Sequence, residues 1–346
     1  MDLALLDSVL ADLHQPSFRA GQVWEWAARG AGSYAEMTNL PGALREQLEQ
    51  RVPLSSLTVQ REALAADGTE KALFHTADGR PLEAVLMRYR DGRRSLCLSS
   101  QSGCPLTCTF CATGTMRFGR NLTSSEILDQ ALHFRRTEAL THCVFMGMGE
   151  PLLNLDNVLG ACERLPDVGI HPSSTTISTV GWIPGIERLT ERDGPTIRLA
   201  LSLHAPDDAL RSRLMPVNDR YPLADVLDAC RRWHDHRRRR VYVEYLMLAG
   251  VNDSPEQAVA LARVLTPHEA FKVNLIPYNE PPVLARPTPG LRSSGGDSGL
   301  TGSSREAIDA FCGELHDSGV PATVRLTRGR DIDAACGQLA ASTAAA

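Results

Sequence analysis

Three cysteines within eight residues, Cys104, Cys108 and Cys111, stand in the spacing C-x3-C-x2-C. Soft thiolates so placed suit an iron-sulfur cluster or a zinc ion. The neighbours Gly103, Thr107 and Thr109 leave no apolar stripe that would make the three an ordinary core face. A four-iron cluster held by three thiolates keeps one iron open for another ligand. Zinc would want a fourth donor close by, and the nearest histidines in sequence, His75 and His133, are not at finger spacing. A distant fourth ligand keeps zinc open, and three inert thiols are the third reading. Elsewhere, Cys97 lies in an apolar run and reads first as a core thiol. Cys336, in Asp-Ala-Ala-Cys-Gly-Gln, is as readily a reactive thiol as a packed one. Cys143, Cys162, Cys230 and Cys312 fall at apolar positions of helices or strands and read as packing.

The elements that must position these thiols follow from periodicity. Leu3, Leu6, Leu10 and Leu13, then Val23, Trp24 and Trp26, recur at helical spacing, so residues 1–52 read as a helical accessory domain. Residues 53–94 change to short Val, Leu and Thr runs separated by Asp67-Gly68 and Asp78-Gly79, turn pairs of a β-rich connecting segment. From residue 95 strand-like runs (96–100, 143–148, 174–180, 198–204, 241–248, 271–278) alternate with helical ones (123–137, 154–164, 207–234, 254–265). That alternation predicts an α/β core of six βα units around a parallel sheet, a partial barrel over residues 95–339. The cysteine triad then sits at the carboxyl end of the first strand, where parallel-sheet proteins build their sites. Residues 283–304, rich in Pro, Gly and Ser, are expected as an unpacked surface insertion, and 340–346 as a disordered tail.

Composition narrows the classes. The 346 residues carry 36 basic and 41 acidic groups, a net charge of -5, so bulk attraction to nucleic acid is excluded and any such contact must be a local patch. Two arginine groups are candidates: Arg88, Arg90, Arg93, Arg94, Arg117 and Arg120 around the triad, and Arg231, Arg232 and Arg237 to Arg240, which reads better as a solvated helix end. No apolar run is long enough to span a membrane, and residues 1–15 lack a basic start, so a cytoplasmic protein is expected; a monomer is expected as well.

With Phe110 just before the third cysteine, the triad resembles the signature of radical S-adenosylmethionine (SAM) enzymes. Leu96 to Gln101, Cys104 to Gly114, Met146 to Asn154, Ile177 to Gly181, Leu201 to Pro206, Asn274 to Asn279 and Asp331 to Leu339 extend the likeness to the RlmN/Cfr-type RNA adenine methyltransferases. The resemblance implies a radical SAM barrel, with a [4Fe-4S] cluster on Cys104, Cys108 and Cys111 and SAM on the open iron. Gly149, Glu150, Ser178, Ser202, Leu203, His204 and Asn279 match the family's SAM contacts. One SAM would methylate Cys336, a second would yield a 5'-deoxyadenosyl radical that activates the new methyl group, and the resulting protein-RNA thioether would be resolved by Cys97. Glu83 matches the family's proton-removing base. The implied substrates are 23S rRNA and certain tRNAs, and the implied electron donor is a flavodoxin or ferredoxin. The sister activity at adenine carbon 8 is the nearest alternative, and a non-catalytic Fe-S or zinc RNA-binding module the more remote one.

Overall fold

In a computed structural model of the chain, residues 1–280 and 299–341 are described. Three helices, α1 (Leu3–Asp12), α2 (Phe18–Arg29) and α3 (Gly42–Arg51), open the chain. Three strands follow, β1 (Leu57–Leu64), β2 (Glu70–Thr76) and β3 (Pro81–Arg88), joined by the two expected Asp-Gly turns, in which Gly68 and Gly79 adopt φ of +82° and +74°. An antiparallel pairing, Val85 opposite Cys97, joins β3 to β4 (Arg94–Cys97). The short ladder of β5 (Gln101–Ser102) and β6 (Arg120–Asn121) brackets the cysteine loop.

The βα series then runs α4 (Ser124–Arg135), β7 (His142–Phe145), α5 (Leu155–Arg164), β8 (Thr175–Thr179), α6 (Ile183–Glu191), β9 (Arg198–Ser202), α7 (Asp208–Leu214), α8 (Leu223–Arg237), β10 (Val241–Met247), α9 (Pro255–Val264), β11 (Phe271–Pro277), α10 (Arg305–Asp317) and β12 (Ala322–Val324). Among the described residues, ten strands form one sheet in the order β1-β2-β3-β4-β7-β8-β9-β10-β11-β12. From β4 onward each pair is parallel, and the last helix and strand that the sequence predicts, over 305–318 and 322–327, form as α10 and β12, the latter joining the six βα strands as a seventh. Buried strands such as β10 (Val-Tyr-Val-Glu-Tyr-Leu-Met) read as near-continuous apolar runs because helices cover the outer face. Residues from β7 to β11 line a single cavity, so the sheet curls into a barrel left open between β12 and β1.

Four details differ from the sequence reading. The single helix expected over 207–234 is two, because Pro216 and Pro222 each remove an amide donor and break the period. The antiparallel strands β1 to β3 extend the barrel's own sheet, and one continuous core takes in α1 to α3 as well. Most of the 283–304 insertion lies outside the described residues, but its end is packed: the Thr301 carbonyl accepts from Ala249 N–H at 2.9 Å, and Ser304 caps α10. Finally, Ala340 and Ala341 are bonded to the body of the protein, while 342–346 lie outside the described residues.

Candidate active site

At the carboxyl ends of β7 to β11 a cavity encloses about 940 Å³ of empty space, its open mouth included, a volume typical of a small-molecule site. Cys104, Cys108 and Cys111 line it from the loop after β4. Hydrogen bonds on both sides hold that loop: Thr109 N–H to the Leu214 carbonyl (3.0 Å), Ala112 N–H to the Gly337 carbonyl (2.8 Å) and the Thr113 hydroxyl to the Leu339 carbonyl (2.6 Å). It is tightly wound, since a Cβ on Gly114 would stand 2.8 Å from the Cys108 carbonyl oxygen. Burial pushes all three thiols up, Cys104 to about 12, and each would repel the others' charge as a thiolate. Only a strong cation relieves such a set, and its binding must release protons.

Glu150, 2% exposed, follows β7. Its carboxylate oxygens accept from Leu152 N–H (3.0 Å) and Val180 N–H (2.9 Å), while its own N–H donates to Gln101 Oε1 (2.9 Å). Burial nevertheless pushes the carboxyl up to about 7, a value that an incoming ammonium would pull back down. Gly149 beside it has φ of +99°, and a Cβ there would meet the Gln101 side chain at 2.5 Å, so only glycine fits the turn. From β8 and β9 the hydroxyls of Ser178 and Ser202 approach to 3.5 Å at the cavity wall.

His204 also lines the cavity, and its φ of +60° is uncommon for a residue with a Cβ. Asn252, fully buried, holds it there: its Nδ2 donates to the His204 carbonyl (2.9 Å) and the Leu246 carbonyl (2.6 Å), and its Oδ1 accepts from Leu248 N–H (2.7 Å). The imidazole Nδ1 accepts from Leu246 N–H at 3.0 Å, so the neutral ring carries its proton on Nε2. Burial, with the Arg211 charge second, lowers its pKa to about 3, and the ring stays neutral at physiological pH. Arg211 is itself fully buried, tying the Val180 carbonyl (2.5 Å) to Asn218 Oδ1 (2.6 Å) across the loops after β8 and α7.

A second, smaller cavity adjoins the first, and Cys336 lines both. Cys97 and Asn279 line only the second, where the buried Asn279 Oδ1 has no partner among the described residues. The thiols of Cys97 and Cys336 are free, and burial pushes Cys97 up to about 12, the charge of Cys336 adding to the rise. Arg325 stands at the same wall, its Nη1 3.1 Å from Glu244 on β10, which in turn accepts from Asn274 Nδ2 at 2.8 Å. Leu203 and Glu83 line neither cavity. Glu83, on β3, is a buried carboxylate, 3% exposed. Its Oε1 pairs with Lys71 at 3.1 Å, and its Oε2 accepts from the N–H groups of Ala340 (3.1 Å) and Ala341 (3.0 Å). The Glu83 to Cys97 spacing includes the β3–β4 hairpin, whose turn occupies residues 89–93.

The arginines nearest the triad are more committed than sequence implies. Arg88 and Arg94 share Glu138, Arg120 spans Asp78 and Glu126 at 2.7 Å each, and Arg93 pairs with Asp91 and lies 4.4 Å over the Tyr89 ring. In the second group Arg231, Arg237 and Arg240 bond to backbone carbonyls at helix and loop ends. Sequence reading passed over Gln101, Arg211, Glu244, Asn252, Arg325 and Lys71. Glu244 had a signal, a lone carboxylate within an otherwise apolar parallel strand, and so did Lys71 inside a β-run.

Comparison with known proteins agrees with this geometry. Residues 98–262 match the Radical SAM superfamily, and residues 1–54 match the Ribosomal RNA large subunit methyltransferase N-terminal domain. The Probable dual-specificity RNA methyltransferase RlmN of Heliobacterium modesticaldum is 45% identical over 347 residues, covering 96% of this chain and 86% of that protein. The chain belongs to the RlmN family. The Dual-specificity RNA methyltransferase RlmN of Geobacter sulfurreducens is 43% identical over 338 residues, covering 96% of this chain and 89% of that one. A radical SAM methyltransferase from Sphaerobacter thermophilus, solved by crystallography, superposes with a TM-score of 0.87 at 42% identity, covering 99% of this chain and 98% of that one. The partial barrel is therefore the radical SAM fold, and the RlmN family's enzymes are radical SAM RNA methyltransferases. With the fold come its cofactors, a [4Fe-4S] cluster and SAM. Among the described residues no helix is long and apolar enough to cross a membrane.

Proposed function

We propose that this enzyme methylates carbon 2 of an adenosine in 23S rRNA near the peptidyl-transferase centre, and of an adenosine in certain tRNAs. Carbon 2 lies between two ring nitrogens and is electron-poor, so it cannot attack a methyl group by ordinary displacement, and a protein-borne methyl carrier is needed. The observation that carries the reading is the position of Cys336 in the walls of both cavities, between the cysteine triad and Cys97. When bound, the cluster and SAM supply a methyl group and one-electron chemistry at the first cavity.

The chain's own residues divide the remaining work. Cys104, Cys108 and Cys111 hold the cluster. Glu150 would hold the methionyl ammonium, Gly149 would leave room for it, and Ser178, Ser202 and His204 would supply the polar wall around it. Leu203 joins this set by the family resemblance alone, since its N–H donates to the Glu244 carbonyl and its carbonyl accepts from Ala205, and Asn279 offers its unpartnered Oδ1 from the second cavity. Cys336 would accept the methyl group and, through that carbon, become bonded to the base; Cys97 would then attack the Cys336 sulfur, forming the disulfide while the carbon–sulfur electron pair and a proton stay on the carbon that becomes the product's methyl group, and reduction of the disulfide would restore both thiols. Glu83 takes the proton from the adduct carbon, which requires Ala340 and Ala341 to leave its Oε2. The enzyme works as a cytoplasmic monomer, with a flavodoxin- or ferredoxin-type protein returning electrons. Mass analysis of rRNA and tRNA from cells with and without the gene tests the assignment. A 2-methyladenosine that disappears with the gene is expected; an 8-methyl product, or no change, contradicts it.

A further inference from the structure

Of 36 basic residues only Lys71 and Lys272 are lysines, leaving 34 arginines. Against that bias an interior lysine marks a place where a compact ammonium fits and a planar guanidinium fork does not. Lys71 is 7% exposed, on β2, diagonally across the antiparallel ladder from Glu83 on β3. Its ammonium lies 3.1 Å from Glu83 Oε1 and donates to the Asp333 carbonyl at 3.0 Å. The other oxygen of Glu83 accepts from Ala340 and Ala341 N–H. One buried ion pair thus grips the segment 333–341 at both ends, and Cys336 lies between the two grips. Inside that span the segment meets the cysteine loop, through the Gly337 and Leu339 carbonyls.

We propose that the Lys71–Glu83 pair is a latch that positions the Cys336 loop against the cysteine triad, which makes Lys71 a positioning residue for the methyl-carrying thiol. Its consequence for methyl transfer rests on the function proposed above; the latch itself rests on the hydrogen bonds alone. The closed latch also occupies the carboxylate assigned to proton removal, so methyl loading at the triad and proton removal at the base belong to different positions of the same segment. Loss of the lysine leaves a buried carboxylate without its counter-charge, which drives the side chain toward water and abandons the bonds it makes to the tail.

The test is hydrogen exchange of the full-length, cluster-loaded protein, read together with the fraction of Cys336 carrying a methyl group by mass analysis of the purified enzyme. In Lys71→Met the amides of residues 333–341 should exchange at least tenfold faster and Cys336 methylation should fall at least fivefold, with iron per chain unchanged. The double variant Lys71→Met/Glu83→Leu removes the buried charge and should recover melting temperature, because a neutral apolar pair replaces a broken ion pair. Exchange should nevertheless stay fast and methylation low. Protected 333–341 amides in Lys71→Met, or methylation that returns with stability in the double variant, overturn the latch. Should the unaltered enzyme never carry a methyl group on Cys336, the proposed function fails, while exchange still decides the latch.

Discussion

Lowering the pH should weaken SAM binding through one carboxyl group, Glu150. It is 2% exposed, and burial holds its pKa at about 7 against a model-peptide value of 4.5. The methionyl ammonium, with an ordinary amine pKa of about 8, is protonated throughout the range below neutrality. SAM prefers the carboxylate, so the apparent dissociation constant scales as one plus the ratio of protonated to ionised Glu150. That factor is about 2 at pH 7 and about 33 at pH 5.5, a loss of about 16-fold or about 1.6 kcal/mol. The sign for folding is opposite. A carboxyl raised in the folded state costs stability above its unfolded pKa, so the ligand-free protein loses stability as pH rises from about 4.5 to 7. Isothermal titration calorimetry of anaerobic, cluster-loaded enzyme at pH 7.0, 6.5, 6.0 and 5.5 measures the binding arm, with iron content followed at each pH. Glu150→Gln should bind SAM weakly at every pH and lack the acid limb. An affinity independent of pH in the unaltered enzyme, or an equal acid limb in Glu150→Gln, would refute the assignment of Glu150 to the ammonium.

Two further outcomes follow from the same geometry. Asn252→Ala deletes three buried side-chain hydrogen bonds and leaves the His204 carbonyl and Leu248 N–H unpaired, so it should cost about 3 kcal/mol or more, read as a fall in melting temperature of about 5 °C or more; SAM affinity should fall with it. Anaerobically purified protein should contain about four irons per chain and be brown, and SAM should perturb the cluster's spectrum. Stoichiometric zinc in place of iron contradicts the cluster reading.

The triad, the βα alternation and the turn pairs Asp67-Gly68 and Asp78-Gly79 were legible in sequence because each is a local signal. Spacing announces a cluster, period announces a strand or helix, and a turn needs glycine. What local signals could not convey is which distant residues meet. Glu83 has the period of a half-exposed strand residue, and its burial depends on Ala340 and Ala341 closing over it from the far end of the chain. Cys97 reads as a core thiol, and it partly is one; that it shares a cavity wall with Cys336 follows only from β4 and the tail meeting in space. Asn252 and Arg211 support the site through backbone carbonyls, contacts with no sequence spacing at all. That Arg88, Arg94 and Arg120 pair with Glu138, Glu126 and Asp78 could not be read around the triad either, because those carboxylates are brought in by folding.

In the function proposed, Cys336 carries the methyl group to RNA and Cys97 releases the product. The direct measurement is a denaturing gel of the Cys97→Ala and Cys336→Ala proteins after expression, with and without ribonuclease. Cys97→Ala leaves bond formation to the base possible and removes its resolution, so a slow-migrating band that ribonuclease collapses is expected. Cys336→Ala should show no such band and no methylated adenosine. Normal turnover by Cys97→Ala with no retained RNA, or continued methylation by Cys336→Ala, contradicts the claim.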